Sequence, residues 1–335
     1  MLKAKVEKYI LDFKLPAGTS RGVLTEKWCW IVSVWEEQSP QIKGIGEASI
    51  IKTLSHEWSD NYEKILHETA ANINEVQLSE LIQYPSIRFA FEMALKDLQN
   101  GGHQVYYPSA FTDGAEGIKI NGLIWMGEKQ FMFEQIKQKL ELGFDCVKLK
   151  IGAIDFEEEL DLLKYIRSQF SADEIELRVD ANGAFEPTNA LEKLQRLSAF
   201  HLHSIEQPIK QHQWDKMAEL CDKSPLDIAL DEELIGLYGA QRKLMLEQIK
   251  PHYIILKPSL VGGFDSSDDW INLAEQFGIN WWITSALESN IGLNAIAQYT
   301  ATKNNPMPQG LGTGQLFTNN ISSSLKLKGD VLFHH

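Results

Sequence analysis

The chain has 335 residues, 44% of them hydrophobic and 23% charged, with a formal net charge of −14 at pH 7. That composition belongs to a soluble globular protein of one large or two ordinary domains, and no apolar run approaches the roughly 18–20 residues that span a bilayer. The acidity argues against nucleic acid and anionic membrane surfaces as partners, while a small anionic substrate in a locally positive pocket stays open.

The N-terminal stretch MLKAKVEKYILDF carries charges throughout and no small-residue cleavage site, unlike a signal peptide. LKAKVEKYILDFK, KWCWIVSVWEE and IKGIGEASI alternate apolar and polar residues, as antiparallel strands do. Two helices follow. The first is expected over residues 61–73. The second is PSIRFAFEMALKDLQNGG, with Pro85 near its start, Phe91, Leu95 and Leu98 on one face, and Gly101 and Gly102 as its stop. Strands first and helices after suggest an α+β unit over residues 1–102.

From about residue 115 short apolar runs alternate with amphipathic helices. The runs are GIKIN, CVKLKIG, IELRVDA, LHSIEQP, LDIALDE, YIILKPS, WWITSA and PQGLGTG. Between them, DFEEELDLLKYIRSQF carries Leu160, Leu163 and Phe170 at helical spacing, and EPTNALEKLQRLSAF repeats Leu191, Leu194 and Leu197 after Pro187. Eight βα units predict a TIM-type (β/α) barrel over residues 103–313. A doubly wound sheet would want a Gly-rich turn after the first run, and none stands there. GLGTG (Gly310, Gly312, Gly314) lies after the eighth run. It suits a tight turn as well as an anion cradle. The last segment, 314–335, ends in His334 and His335, which read as a tag remnant without functional weight. Cys29, Cys146 and Cys221 form no CxxC or Cys/His pattern, so neither a disulfide framework nor zinc is expected, and a reducing cytoplasm fits.

The run CVKLKIG sets two lysines, Lys148 and Lys150, on one face of a strand otherwise built for burial. The C-terminal ends of the next four runs carry Asp180, followed by Asn182, then Glu206, Asp231 and Lys257, at a near-constant interval of about 25 residues. Each step is one βα unit, so these groups are expected at equivalent positions on successive strands. The rim where barrel strands end is where such folds place their chemistry. Three neighbouring carboxylates repel one another unless a hard divalent cation joins them, and Mg²⁺ suits such oxygens better than zinc. Lysines beside that cation have their ammonium forms disfavoured, so their pKa values are expected to fall and at least one is expected to serve as base. Two lysines and the cation against three carboxylates leave one positive charge for a substrate carboxylate. Removing the α-proton of such a substrate gives an enediolate that the cation stabilises.

The order Lys-x-Lys, Asp, Glu, Asp, Lys, in VKLKIG, RVDANGAF, IEQPI, LDEEL and LKPSLVGG, resembles the enolase superfamily and within it the muconate-lactonizing subgroup. The resemblance covers nearly the whole chain. It implies an enolase-like, modified barrel behind an N-terminal capping domain, with the tail from about Gly314 returning to the cap. It implies Lys150 and Lys257 as the catalytic pair, Asp180, Glu206 and Asp231 as ligands of Mg²⁺ (Mn²⁺ as substitute), and Lys148 and Asn182 in support. The loop GTSRGVL would help select substrate, through Thr19, Ser20 and Arg21. The seventh run reads ITSALESN, without the histidine of mandelate-racemase-like members. The eighth has no acid to hold a substrate amine. SALESNIGLNAIAQ and QGLGTGQLF look most like members that dehydrate a cyclohexadiene carboxylate to an aromatic product. In those, Lys150 serves both steps from one face, Lys257 acts as a cation across the ring, and Ser285 with the amides of Gly310 and Gly312 holds a second carboxylate. Lysines on opposite faces also suit racemases, dipeptide epimerases and cycloisomerases. A binding protein that holds metal without turnover is a third reading.

Overall fold

A computed structural model of the protein describes residues 1–19, 22–125 and 127–335. β1 (Leu2–Thr19), β2 (Gly22–Glu36) and β3 (Gly44–Ile50) form an antiparallel sheet in that order. Trp30, Val32 and Val34 of β2 are buried with residues of α1 (Tyr62–Ala71) and α2 (Pro85–Gln99). α2 is hydrophobic on more than the expected face. Ala90, Phe91 and Ala94 join the core under this sheet, whereas Phe89 and Met93 join the barrel core; Leu95 and Leu98 are only half-buried. The helix is buried on two sides, so a single stripe was too narrow an expectation. Its approach to β3 needs glycine: a Cβ on Gly44 or Gly46 would lie 1.8 Å from the Ala94 carbonyl oxygen or 2.0 Å from that of Ala90.

β4 (Gly117–Lys119) precedes a parallel seven-stranded sheet. Its strands are β5 (Gly122–Ile124), β6 (Cys146–Lys150), β7 (Glu176–Asp180), β8 (Ser204–Glu206), β9 (Ile228–Leu230), β10 (Tyr253–Leu256) and β11 (Asn280–Ile283), hydrogen-bonded in sequence order. Helices α3 (Lys129–Glu141), α4 (Phe156–Gln169), α5 (Ala190–Ser198), α6 (Trp214–Lys223), α7 (Ala240–Ile249), α8 (Pro258–Val261) and α9 (Gly263–Gln276) link them, and α10 (Asn290–Ala301) follows β11. The eighth run contributes single parallel bridges, Thr284 to Gly310 and Ile120 to Gln309, which join the two edges of the sheet.

The first run differs from expectation. GIKIN is split: its Gly117–Lys119 pairs antiparallel with β13 (Val331–His334), and the first strand of the parallel sheet is the next segment, β5. β13 is the second strand of a hairpin with β12 (Leu325–Lys328). His334 is therefore no loose tag residue. It is buried, and its ring lies beside Phe111 with Nδ1 3.0 Å from the Thr112 carbonyl. Before that hairpin the chain crosses to β1, where Lys14 N donates to Leu316 O at 2.8 Å and Thr318 N to Asp12 O at 2.9 Å. No helix among the described residues is long and apolar enough to cross a membrane.

Candidate active site

Strand alternation sends Leu149 into the layer between sheet and helices, and Lys148 and Lys150 to the opposite face. Cα pairing places Lys150 level with Asp180, and Asp180 level with Glu206. Glu206 then pairs with Ala229, so Asp231 stands two residues higher. Of Asp180, Glu206, Asp231 and Lys257, expected at equivalent positions, only Asp180 and Glu206 stand level. The strands of a closed parallel sheet are staggered, and the later groups climb with the stagger.

The side chains converge. Lys148 Nζ donates to Glu206 Oε2 at 2.6 Å and Asp180 Oδ2 at 3.1 Å. Lys150 Nζ donates to Asn182 Oδ1 at 2.7 Å and Asp180 Oδ2 at 3.3 Å. Lys257 Nζ donates to Asp231 Oδ2. Asn182 N closes a turn onto Asp180 Oδ1 at 3.0 Å, and Asn182 Nδ2 reaches Glu232 Oε1 at 3.1 Å. Asn182 and Gln207, just past two of the carboxylates, hold left-handed backbone at φ 43° and 40°. Such strain in non-glycine residues persists only where the surroundings impose it, commonly at functional sites.

Neighbouring carboxylates set the electrostatics of two of the lysines. Burial works against the Lys148 ammonium, but Asp180 and Glu206 outweigh it and raise its pKa. The same contest, with Asp231 as the main opponent of burial, raises that of Lys257. The protein's own carboxylates thus favour the ammonium forms of both, and a bound cation would act in the opposite direction. Asp180 is also buried, yet the neighbouring lysines, Lys148 foremost, hold its carboxyl well below the usual range. Glu206 is pushed up to about 8 by burial and by Asp180. Lys148 and Glu206 are thus both raised across one contact: the ammonium is shared with Asp180, and Glu206 remains under-compensated.

Among the described residues, no three acidic, His or Cys side chains already converge as a cation cage. Lysines take the oxygens instead. The donor set nonetheless fits a hard cation. Asp180, Glu206 and Asp231 are all nearly inaccessible, and Glu206 Oε1 is a buried acceptor without a hydrogen-bond partner. An orphaned carboxylate oxygen between like charges is the feature a divalent cation satisfies.

A cavity opens above this floor, lined by Lys148, Lys150 and Lys257. The cap contributes Leu24, Ile51 and Leu54 to its walls, and the barrel Trp125, Ala286 and Leu287. Ser285, Gly310 and Gly312 line the same cavity, with Ser285 Oγ 2.6 Å from Thr313 Oγ1. Ser20 and Arg21 lie outside the described residues, as do the side-chain surroundings of Thr19. Trp125, Glu232 and the apolar cap residues were missed in the sequence. They come from the ends of other elements and carry no local pattern.

The enolase C-terminal domain-like family matches residues 132–323. A protein from Desulfotalea psychrophila called o-succinylbenzoate synthase is 52% identical, over 96% of each chain. The crystal structure of MenC from Desulfotalea psychrophila LSv54 superposes with a TM-score of 0.88, at 47% identity and 99% coverage of both chains. A dipeptide epimerase from Enterococcus faecalis V583, complexed with Mg and L-Leu-L-Tyr, shares the fold at a TM-score of 0.84 but only 20% identity, covering 100% of this chain and 97% of its own. Fold, strand-end array and these likenesses agree, and the chain belongs to the enolase superfamily.

Proposed function

We propose that this protein dehydrates 2-succinyl-6-hydroxy-2,4-cyclohexadiene-1-carboxylate to o-succinylbenzoate, the lyase step of menaquinone biosynthesis. The observation that carries the choice of substrate is the 52% identity, along nearly the whole chain, to o-succinylbenzoate synthase. The chemistry of the site supports it. Lysines line the floor of a cavity whose cap walls are mostly apolar, as a ring acid with two carboxylates requires. The eighth run, PQGLGTG, has no acid to pair with a substrate ammonium, which disfavours dipeptides.

Asp180, Glu206 and Asp231 would hold a divalent cation, Mg²⁺ or Mn²⁺ in its place, which when bound stabilises negative charge developing on the substrate carboxylate. Lys150 takes the α-proton as general base. The electron pair of that C–H bond moves toward the carboxylate carbon as the enediolate forms, and returns to the ring in the step that expels the hydroxyl. Lys257, as an ammonium across the ring, stabilises the charge. The C–O bond then breaks, and Lys150 returns its proton to the departing hydroxide, releasing water and an aromatic ring. Lys148 screens Asp180 and Glu206, and Asn182 orients the Lys150 amine. Ser285 and the amides of Gly310 and Gly312 hold the succinyl carboxylate, with Ser20 and Arg21 assigned to the cap side. In this reading residues 1–102 act as the cap, 103–313 as the catalytic barrel and 314–335 as the strap between them, in the cytoplasm. Product analysis tests it. The diene acid should yield o-succinylbenzoate, whereas α-hydrogen exchange in N-acyl amino acids without any aromatisation would move the assignment to a racemase.

A further inference from the structure

The pocket loop of residues 284–289, between β11 and α10, is held by buried polar side chains outside the array of lysines and carboxylates. Leu287 within it has φ 63°, left-handed backbone that a bulky residue keeps only under constraint. Two constraints come from the capping sheet. Lys27 of β2, only 3% exposed, donates Nζ to the carbonyl of Ala286. Glu47 of β3, fully buried, accepts from Ser289 N at 2.8 Å, Ser289 Oγ at 2.5 Å and Gly292 N at 2.9 Å, capping α10. The third comes from the loop itself. Glu288, also fully buried, accepts from Ala286 N at 2.7 Å and from Ser259 Oγ at 2.5 Å.

Ser259 lies two residues past Lys257, in α8. The Lys257 carbonyl accepts from Leu260 N at 2.8 Å and Val261 N at 3.1 Å, so one helical turn ties Ser259 to the backbone of Lys257. A continuous path therefore runs from cap to catalytic rim: Lys27, the Ala286 peptide, Glu288, Ser259, Lys257. Burial disfavours the Lys27 ammonium, against Glu288 and Glu47, and raises the pKa of Glu47. Apolar packing would join the two surfaces at less cost than buried ions. Polar groups fix position instead, because their partners and directions are specific.

We propose that Lys27, Glu288 and Ser259 form an interdomain strut by which the cap sets the position of Lys257 and of the pocket loop, making Lys27 a positioning residue. The inference rests on the functional reading above, and its test separates the two. The parent is assayed first with the diene acid, then Lys27→Met, Ser259→Ala, Ser259→Thr and the double variant Lys27→Met/Ser259→Ala. Mn²⁺ stoichiometry and affinity are read by electron paramagnetic resonance. A shift of the order of 1 Å at a catalytic group costs about a hundred-fold, so the Met and Ala variants should lose roughly ten- to a hundred-fold in kcat. Mn²⁺ binding should stay within about two-fold, Ser259→Thr should keep most of the rate, and the double variant should be no worse than the more severe single.

Rates within about two-fold of the parent in both single variants would overturn the strut. So would a loss matched by lost Mn²⁺ stoichiometry, which marks fewer folded sites. If Lys27→Met does not fold, Ser259→Ala decides alone. A parent that does not dehydrate the diene acid but exchanges the α-proton of an N-succinyl amino acid removes the functional reading, and the same variants are then read in that exchange. A parent inactive in both removes both.

Discussion

Lys148 and Lys150 stand on one face of one strand, yet their surroundings differ. Lys148 lies between two carboxylates at 2.6 and 3.1 Å, and they keep it an ammonium. Lys150 meets one carboxylate oxygen at 3.3 Å and an amide oxygen at 2.7 Å, and it lines the cavity beside Trp125. Lys150→Ala should therefore abolish turnover while Mn²⁺ affinity, measured by calorimetric titration, stays that of the parent. Near-normal turnover would remove Lys150 from its role. Asp231→Asn should weaken cation binding by at least about ten-fold, the scale that loss of even an outer-shell partner reaches. Unchanged affinity would break the three-carboxylate account. The two glycines of the eighth run should also separate. A Cβ on Gly310 would lie 2.1 Å from Thr284 Oγ1, so Gly310→Ala should lower the melting temperature. A Cβ on Gly312 meets nothing closer than 3.6 Å, so Gly312→Ala should fold normally and raise KM by filling ligand space. These residues were legible because each closes a strand of a repeating unit. Lys27 carried the same signal as Lys148, a lysine on the buried face of a strand beside Cys29. It belongs to no repeat, so the sequence does not set it apart from a solvated strand lysine.

α2 shows what an element adds beyond its own pattern. Its limits were legible in Pro85 and Gly101–Gly102, but its buried surface was not, because two different cores claim it. Its first turn has no side-chain cap of its own. The carboxyl group of Glu57 supplies one, accepting from Ser86 N at 3.1 Å. Burial pushes Glu57 up to about 8, against those backbone donors. Folded Glu57 thus keeps its proton through a range where the unfolded chain has lost it. Its contribution is complete below the unfolded value of 4.5 and is lost as pH rises towards 8. Glu92 and Glu159, both raised to about 7 chiefly by burial, act in the same direction. Unfolding free energy from urea titrations should fall between pH 5 and pH 8, by up to about 1.4 kcal/mol per pH unit for each such group. Glu57→Gln should flatten that slope. An equally steep slope in the variant would exclude Glu57. Gly46→Ala, which drives a Cβ to 2.0 Å from the Ala90 carbonyl oxygen, should cost about 3 kcal/mol in the same assay.

At the scale of the molecule, the repeat of strand and helix was legible from residue 146 onward, because each parallel strand is a short apolar run followed by its helix. The join was not. β4 pairs with β13, more than two hundred residues away, and the eighth run touches its neighbours through single bridges. Contacts of that range leave no local period. The same long-range stitching seats the cap over the rim, through α2, through the crossing of Leu316–Thr318 to β1, and through Lys27 and Glu47. Chemistry at the rim therefore depends on strand ends assembled by the whole chain. The measurement that tests this account most directly is the rate of aromatisation of the diene acid, followed by absorbance, in Mg²⁺, after chelation, and after Mg²⁺ is restored, for the parent and Lys150→Ala side by side. Rapid turnover in the parent, lost on chelation, recovered with Mg²⁺ and absent in Lys150→Ala, is the predicted result; aromatisation that survives either the chelator or the loss of Lys150 would contradict it.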